Sequence, residues 1–235
     1  MALRVPAYLW FLLAFAVILA GFWPSFFSQP AGNDAAHAAH GLFATLWLIL
    51  LVAQSALIRA RRRALHRRIG WASIGLAVLL VATSLNLVRI MLADPAGFPI
   101  WLRLTLAYID LTTITLFVGL YAAAILWRRD RVVHSRLAGS TVLVAMIPAL
   151  GRFYGMNYPV GGLPGALDPS FWTVEVILLV AVLLDWRGGR LRWPFPVALA
   201  AFVAIHLTYP IGSQSAAFAV LARAMGGSAL PLGAE

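Results

Sequence analysis

Long apolar runs separated by short clusters of arginine constrain this chain more than any other feature. All 18 basic residues are Arg, and Lys is absent. Most fall in three groups: Arg59, Arg61, Arg62, Arg63, Arg67 and Arg68; then Arg128, Arg129, Arg131 and Arg136; then Arg187, Arg190 and Arg192. The loops between these groups are nearly free of basic residues. A chain that crosses a bilayer repeatedly and keeps its basic loops on the cytoplasmic side produces that alternation. The expected fold is an all-α, polytopic transmembrane helix bundle.

Composition agrees. The chain is 62% hydrophobic and 11% charged, with a mean hydropathy of +0.88, whereas soluble domains are roughly 45–50% apolar. The net charge of +10 is spread over helix-flanking loops rather than gathered on one face. The expected partners are therefore the lipid bilayer and other membrane-protein subunits, with no nucleic acid. The absence of Cys excludes thiolate-held iron–sulfur clusters, c-type haem and disulfides. Without Lys, neither a retinal nor a pyridoxal (PLP) Schiff base can form.

Crossing about 30 Å of hydrocarbon takes roughly 20 apolar residues. Seven stretches qualify, at 6–23, 40–58, 69–92, 101–127, 137–151, 171–186 and 195–209, within a single transmembrane domain spanning 1–235. A short terminal helix at 213–224 reads either as a bent continuation of the seventh or as an interfacial helix. Arg4 and the three clusters place 14 arginines on one side, against Arg89, Arg103, Arg152 and Arg223 on the other. That split predicts seven helices with the N-terminus cytoplasmic and the C-terminus outside, in a bacterial inner membrane. A signal peptide cut near Ala20 is the alternative for the first stretch, and Phe22 and Trp23 argue against it.

Polar groups inside a membrane are costly and invite a functional reading. Projected onto this topology, His40, Asn86, Arg89, Asp110, Arg152, Glu175 and His206 all fall in the outer half. They are expected to line one outward-facing pocket beneath the Gly- and Pro-rich segment 153–169, read as an irregular lid or a passive connector. Thr83, Asn86 and Arg89 share a broad helical face, as do His37 and His40, one turn apart. Asp110 lies about 13 Å along its helix from Trp101, which predicts pairing with Arg89, Arg103 or Arg152. The structural alternative is that Arg89 and Arg152 snorkel while Asp110 and Glu175 pair across helices.

His37, His40, His66, His134 and His206 are the candidate haem or metal ligands. His66 and His134 match in depth, each opening an odd-numbered helix at the Arg-rich edge, and would suit the two axial positions of a haem b. His37 and His40 with Asp110, Glu175 or His206 would suit a harder metal ion. Residues 65–82 and 133–150 echo each other weakly, both starting apolar-His-x-Arg and both leading to an outer arginine, Arg89 or Arg152.

Part of the chain resembles a group of multi-pass bacterial membrane proteins that share a domain of unknown function. The likeness is carried by His40-Gly41, an apolar helix through Gln54, and Leu65-His66-Arg67-Arg68-Ile69-Gly70-Trp71. Val133-His134-Ser135-Arg136-Leu137 and the later Arg152 extend it, so that it covers roughly residues 37–152. Ala138 departs from it, standing where such sequences often carry Met. The resemblance implies fold and membrane location, not an activity.

Three functional classes follow. The first is a non-catalytic small-molecule binder or carrier, or an accessory subunit of a membrane complex. The second is a haem b electron-transfer protein using His40, His66, His134 or His206. The third is a metal-dependent membrane hydrolase built on His40, Asp110, Glu175 and His206. No nucleotide-binding, GxSxG or HExxH motif is present, so no enzyme class has a positive signal.

Overall fold

The computed structural model of the chain describes residues 6–94, 97–189 and 191–226. Arg4 and Arg190, both counted in the basic side above, and the C-terminal end lie outside them. Among the described residues the fold is all-helical. Its α-helices are α1 (Ala7–Phe22), α2 (Ala35–Arg59), α3 (Arg63–Ala93), α4 (Ile100–Leu126), α5 (Arg131–Asn157), α6 (Gly162–Gly165), α7 (Leu167–Arg187), α8 (Pro194–Gly212) and α9 (Ala216–Ala224). Seven helical segments are long and apolar enough to cross a membrane.

The helices run past the apolar stretches because polar residues start them. Asp34 accepts from the backbone N–H groups of Ala36 and His37, both at 2.9 Å, so α2 begins five residues before the expected 40. Asp130 accepts from Val132 at 2.9 Å and Val133 at 3.1 Å, starting α5 well before 137. These side chains satisfy amide donors that the first helical turn leaves free. Donation from the His37 N–H to Asp34, and from the Val133 N–H to Asp130, holds both exposed carboxyls below the ordinary 3.8. Lowered carboxyls stabilise the helix starts above that pH, and the contribution is lost as pH falls through their lowered values.

Segment 153–169 is not the single irregular loop expected from its glycines and prolines. Helix α5 runs on to Asn157, α6 forms a short turn, and α7 has begun by Leu167. Gly161 and Gly162, at φ 83° and 69°, make the reversal in the left-handed region that favours glycine. Pro169 falls in the first turn of α7, where its missing N–H breaks no helical bond. Similarly, 213–224 does not simply continue α8. Ser215 caps a separate α9 by accepting from the Phe218 N–H at 3.2 Å. Phe218 and Ala222 then pack with Val88, Leu92 and Ala107 over the Arg-poor ends of α3 and α4.

Helix α5 is the centre of the bundle, touching α1, α2, α4, α7 and α8. Over half of its apolar window (56%) is buried, against at most 28% for any other span. Trp47 of α2 stands between the rings of Phe117 and Tyr121 of α4, and its indole N–H donates to the Thr141 hydroxyl of α5 at 3.3 Å. Helix α1 reaches α5 through Gly21, where an added Cβ would lie 2.2 Å from the carbonyl oxygen of Ala149.

The α2–α3 turn closes tightly at the Arg-rich end. Arg61 has φ 59°, with its N–H on the Ile58 carbonyl and the Arg62 N–H on that of Leu57. This is a Schellman ending with an arginine where glycine is favoured. Arg61→Gly is expected to raise stability by about 1 kcal/mol, read as a higher thermal midpoint in detergent. An unchanged or lowered midpoint would count against that strain.

Candidate functional site

At the Arg-poor end, α7 and α8 build a polar cluster around His206. Its Nδ1 donates to Glu175 Oε1 at 2.8 Å, and its Nε2 lies 3.5 Å from Asp168 Oδ1. The Tyr209 hydroxyl donates to the same Asp168 oxygen. Asp168 and Glu175 share one face of α7 because seven residues make almost two full turns. His206 and Tyr209, three apart on α8, meet that face. Phe171, fully buried, lies parallel to the imidazole at 4.8 Å and holds its plane. The side chain of Asp168 is 52% exposed, whereas those of Glu175 and His206 are 17% and 14% exposed. The arrangement can pass a proton between carboxylates through the imidazole, or present concentrated negative charge to a cation.

The other expected site residues do not join this cluster. His40 on α2 faces α3, with Nδ1 3.4 Å from the hydroxyls of both Thr83 and Ser84. Asp110 of α4 is half-buried, and Arg152 is the charge that acts on it. The expected direct pairing of Asp110 is not formed. Arg152 donates instead to the Pro148 carbonyl at 3.1 Å and lies 4.5 Å over the Phe22 ring. Arg103 is buried at the end of α3, donating to the carbonyls of Leu92 at 3.0 Å and Asp94 at 2.7 Å. A cation there complements the negative end of the helix.

Asn86 and Arg89 are exposed, and line a groove of about 490 Å³ against Ala224–Gly226. Each step of three residues falls 60° short of a full turn, so Arg89 sits about 120° round α3 from Thr83. That is far enough to leave the interior. The same drift separates His40 from His37, which is exposed and pairs with Asp34 at 2.7 Å. The seven residues therefore fall into three groups rather than one cavity: Glu175 with His206, Asn86 with Arg89, and His40 and Asp110 with Arg152, whose charge acts on both. Beneath 153–169 lies a different feature, an aromatic groove of about 520 Å³ walled by Tyr154, Tyr158 and Trp172. None of the seven lines it, but the Trp172 ring stands edge-on to His206 at 6.3 Å, so groove and cluster adjoin.

At the opposite, Arg-rich end the matched pair does meet. The His66 and His134 rings are 6.3 Å apart, edge to face. Among the described residues no three His or carboxylate side chains converge to hold a metal ion. Of His40, Asp110, Glu175 and His206, only Glu175 and His206 are brought into contact. Sequence reasoning missed Asp168, which it placed in a loop, and Asp185, which forms a bidentate pair with Arg136 between α7 and α5. The signal for the first was its spacing of seven from Glu175. No protein family, curated protein or solved structure matches this chain.

Proposed function

We propose that the chain is a multi-pass inner-membrane protein, N-terminus in the cytoplasm, that binds a small organic cation at its outer face. The observation that carries the proposal is His206 held between Glu175 and Asp168 beside an aromatic groove. With one proton on the imidazole the cluster has a net negative charge. One carboxylate opens to solvent and the other reaches further into the bundle. Aromatic faces attract cations through their quadrupoles, and the Tyr154–Tyr158–Trp172 groove has the size of a small-molecule site. The carboxylate–imidazole–carboxylate chain also suits proton exchange during binding and release, as carriers require. The 14-to-4 arginine split supports the orientation, with the cluster facing outward.

The test is titration of the purified full chain with tetraethylammonium and, separately, benzoate, followed by tryptophan fluorescence and calorimetry. Saturable binding of the cation alone is expected, weakened at least about tenfold in Asp168→Asn and in Glu175→Gln. Binding that survives in the double variant would overturn the site. Binding of neither compound would overturn the cation reading and leave the accessory-subunit reading.

A further inference from the structure

We infer that His40, Asp110 and Arg152 line an internal, water-filled site that takes up and releases a proton, open to the Arg-poor face and closed towards the other by Trp47 and Phe117. Helical register places it. Seven residues make almost two full turns, so Arg103, Asp110, Phe117 and Ala124 stand on one face of α4. That face is the inner one, since Arg103, Phe117 and Ala124 are 3%, 6% and 0% exposed. Asp110, between them, is only half-buried. Protein covers the same face to either side of it, so the space it meets lies inside the bundle and not in lipid.

Trp47 lies two turns inward from His40 on α2, as Phe117 does from Asp110 on α4, and their rings meet at 4.9 Å. His40 and Asp110 therefore stand at one level, about 10 Å outward of that contact. Helices α2 and α4 pack on α3 and α5 rather than closely on each other. The Trp47 indole spans the gap between them, and the smaller His40 and Asp110 side chains leave it open. Arg152 of α5 completes the walls, its charge acting on both. His37, one turn outward from His40, is exposed, so the way in runs along the start of α2.

The walls carry free valences. Thr83 and Ser84 donate their hydroxyl hydrogens to the carbonyls of Leu79 at 2.9 Å and Leu80 at 2.8 Å, which leaves only lone pairs for His40 Nδ1. Nδ1 therefore carries the ring hydrogen and Nε2 keeps a lone pair. Among the described residues neither Nε2 nor the Asp110 carboxylate has a hydrogen-bond or ion-pair partner. Neither is one of the sealed, orphaned atoms of the interior, so water reaches both. Intramembrane carboxylates and imidazoles so placed mark proton relays. Arg152 repels a metal ion and Asp110 repels an anion, whereas a proton needs only the carboxylate and water. The other ionisable groups at this end are turned away or engaged. Arg89 of α3 is exposed, His37 of α2 pairs with Asp34, and Arg103 donates to backbone carbonyls. His206 and Tyr209 of α8 bond to Glu175 and Asp168 of α7, and Arg223 belongs to α9. The inference is separate from the proposed cation site on α7 and α8, so each can fail alone.

The experiment is infrared titration of the full chain in lipid nanodiscs, following the C=O stretch of protonated carboxyl groups. A band that grows as pH falls is expected, lost in Asp110→Asn and kept when Asp168→Asn is combined with Glu175→Gln. In Arg152→Gln the same group should hold its proton at least about tenfold more tightly, because the neighbouring positive charge is gone. Water access is read separately. The chain has no cysteine, so Asp110→Cys carries a single thiol. A charged, membrane-impermeant methanethiosulfonate should modify it in right-side-out vesicles and not in inverted ones, and should leave Phe117→Cys unmodified. No titrating band, or one that survives Asp110→Asn, would overturn the proton site. Unchanged proton affinity in Arg152→Gln would overturn the place of Arg152 in it. An unreactive Asp110→Cys would overturn the water-filled space, and a reactive Phe117→Cys its floor. Should the variants fail to fold, dicyclohexylcarbodiimide decides on the unaltered chain, since it attacks protonated carboxyl groups held away from bulk water. An adduct on Asp110 is expected, and adducts confined to other carboxylates would overturn the site.

Discussion

Asp185→Ala is expected to destabilise the bundle by about 3–5 kcal/mol, because it removes the carboxylate that neutralises the largely buried Arg136 guanidinium between α5 and α7. The pair is bidentate: Arg136 Nε donates to Asp185 Oδ2 and Nη2 to Oδ1, the latter at 2.6 Å. Only 10% of the arginine side chain and 16% of the aspartate side chain remain exposed. The guanidinium also lies 5.5 Å over the Phe195 ring of α8, so a single cation ties three helices together. A surface ion pair is worth far less, which makes the magnitude diagnostic. Equilibrium unfolding in detergent, with and without added salt, measures it. The double variant Arg136→Leu with Asp185→Leu should recover most of the loss, since removing both charges leaves no uncompensated charge between the helices. A loss below about 1 kcal/mol for Asp185→Ala would show that the pair is solvated.

Gly21→Leu is the second large effect. A Cβ at residue 21 would sit 2.2 Å from the carbonyl oxygen of Ala149 and 2.8 Å from its carbonyl carbon. Both are backbone atoms in the middle of α5, so no side-chain rotation relieves the contact. Helix α1 must move away, and Ile18 and Phe22 lose their places against the core. Close approach through small residues is how helices associate in lipid, where apolar burial between helices contributes little. The expected cost is about 3 kcal/mol, with Gly21→Ala milder but still destabilising. Faster proteolytic removal of α1 from Gly21→Leu, at unchanged far-ultraviolet helicity, would locate the damage at this contact. A variant as stable as the parent, with α1 equally protected, would contradict the packing.

Apolar runs and arginine clusters were enough to find every span, because they report the surface that meets lipid and the loops that meet charged headgroups. They were least accurate for α5. Ser135, Arg136, Ser140, Thr141 and Arg152 interrupt its apolar pattern, so its expected extent was 137–151 rather than Arg131–Asn157. A helix surrounded by other helices need not be apolar all round, and hydropathy does not record what protein covers. The candidate site failed in a related way. Depth along a helix was legible, but direction around it was not. His40, Asp110, Arg152 and Arg89 share a depth, yet Arg89 is turned outward while the Arg152 charge acts on both His40 and Asp110. Asp168 was hidden by Gly- and Pro-rich surroundings that mimic a loop. His66 and His134 were legible as a pair, because two helices that open with the same motif at the same edge deliver their imidazoles to the same level.

The central place of α5 bears on the order in which the molecule is made. Four spans leave the ribosome before it, and α1 finds its main partner only after three intervening helices have entered the bilayer. Until then the Gly21 face of α1 rests against lipid, and Trp47 has no Thr141 to receive its N–H. The early helices therefore wait as a loose half-ring, secured mainly by the α2–α3 hairpin and the Arg103 clasp on the end of α3. Arrival of α5 converts that half-ring into a closed structure in one step, through contacts far apart in sequence. The least apolar span is thus delivered when protein walls already exist to receive its polar side chains. A nascent chain stalled before residue 131 would hold four inserted helices and no centre, which makes it the natural substrate for membrane quality control.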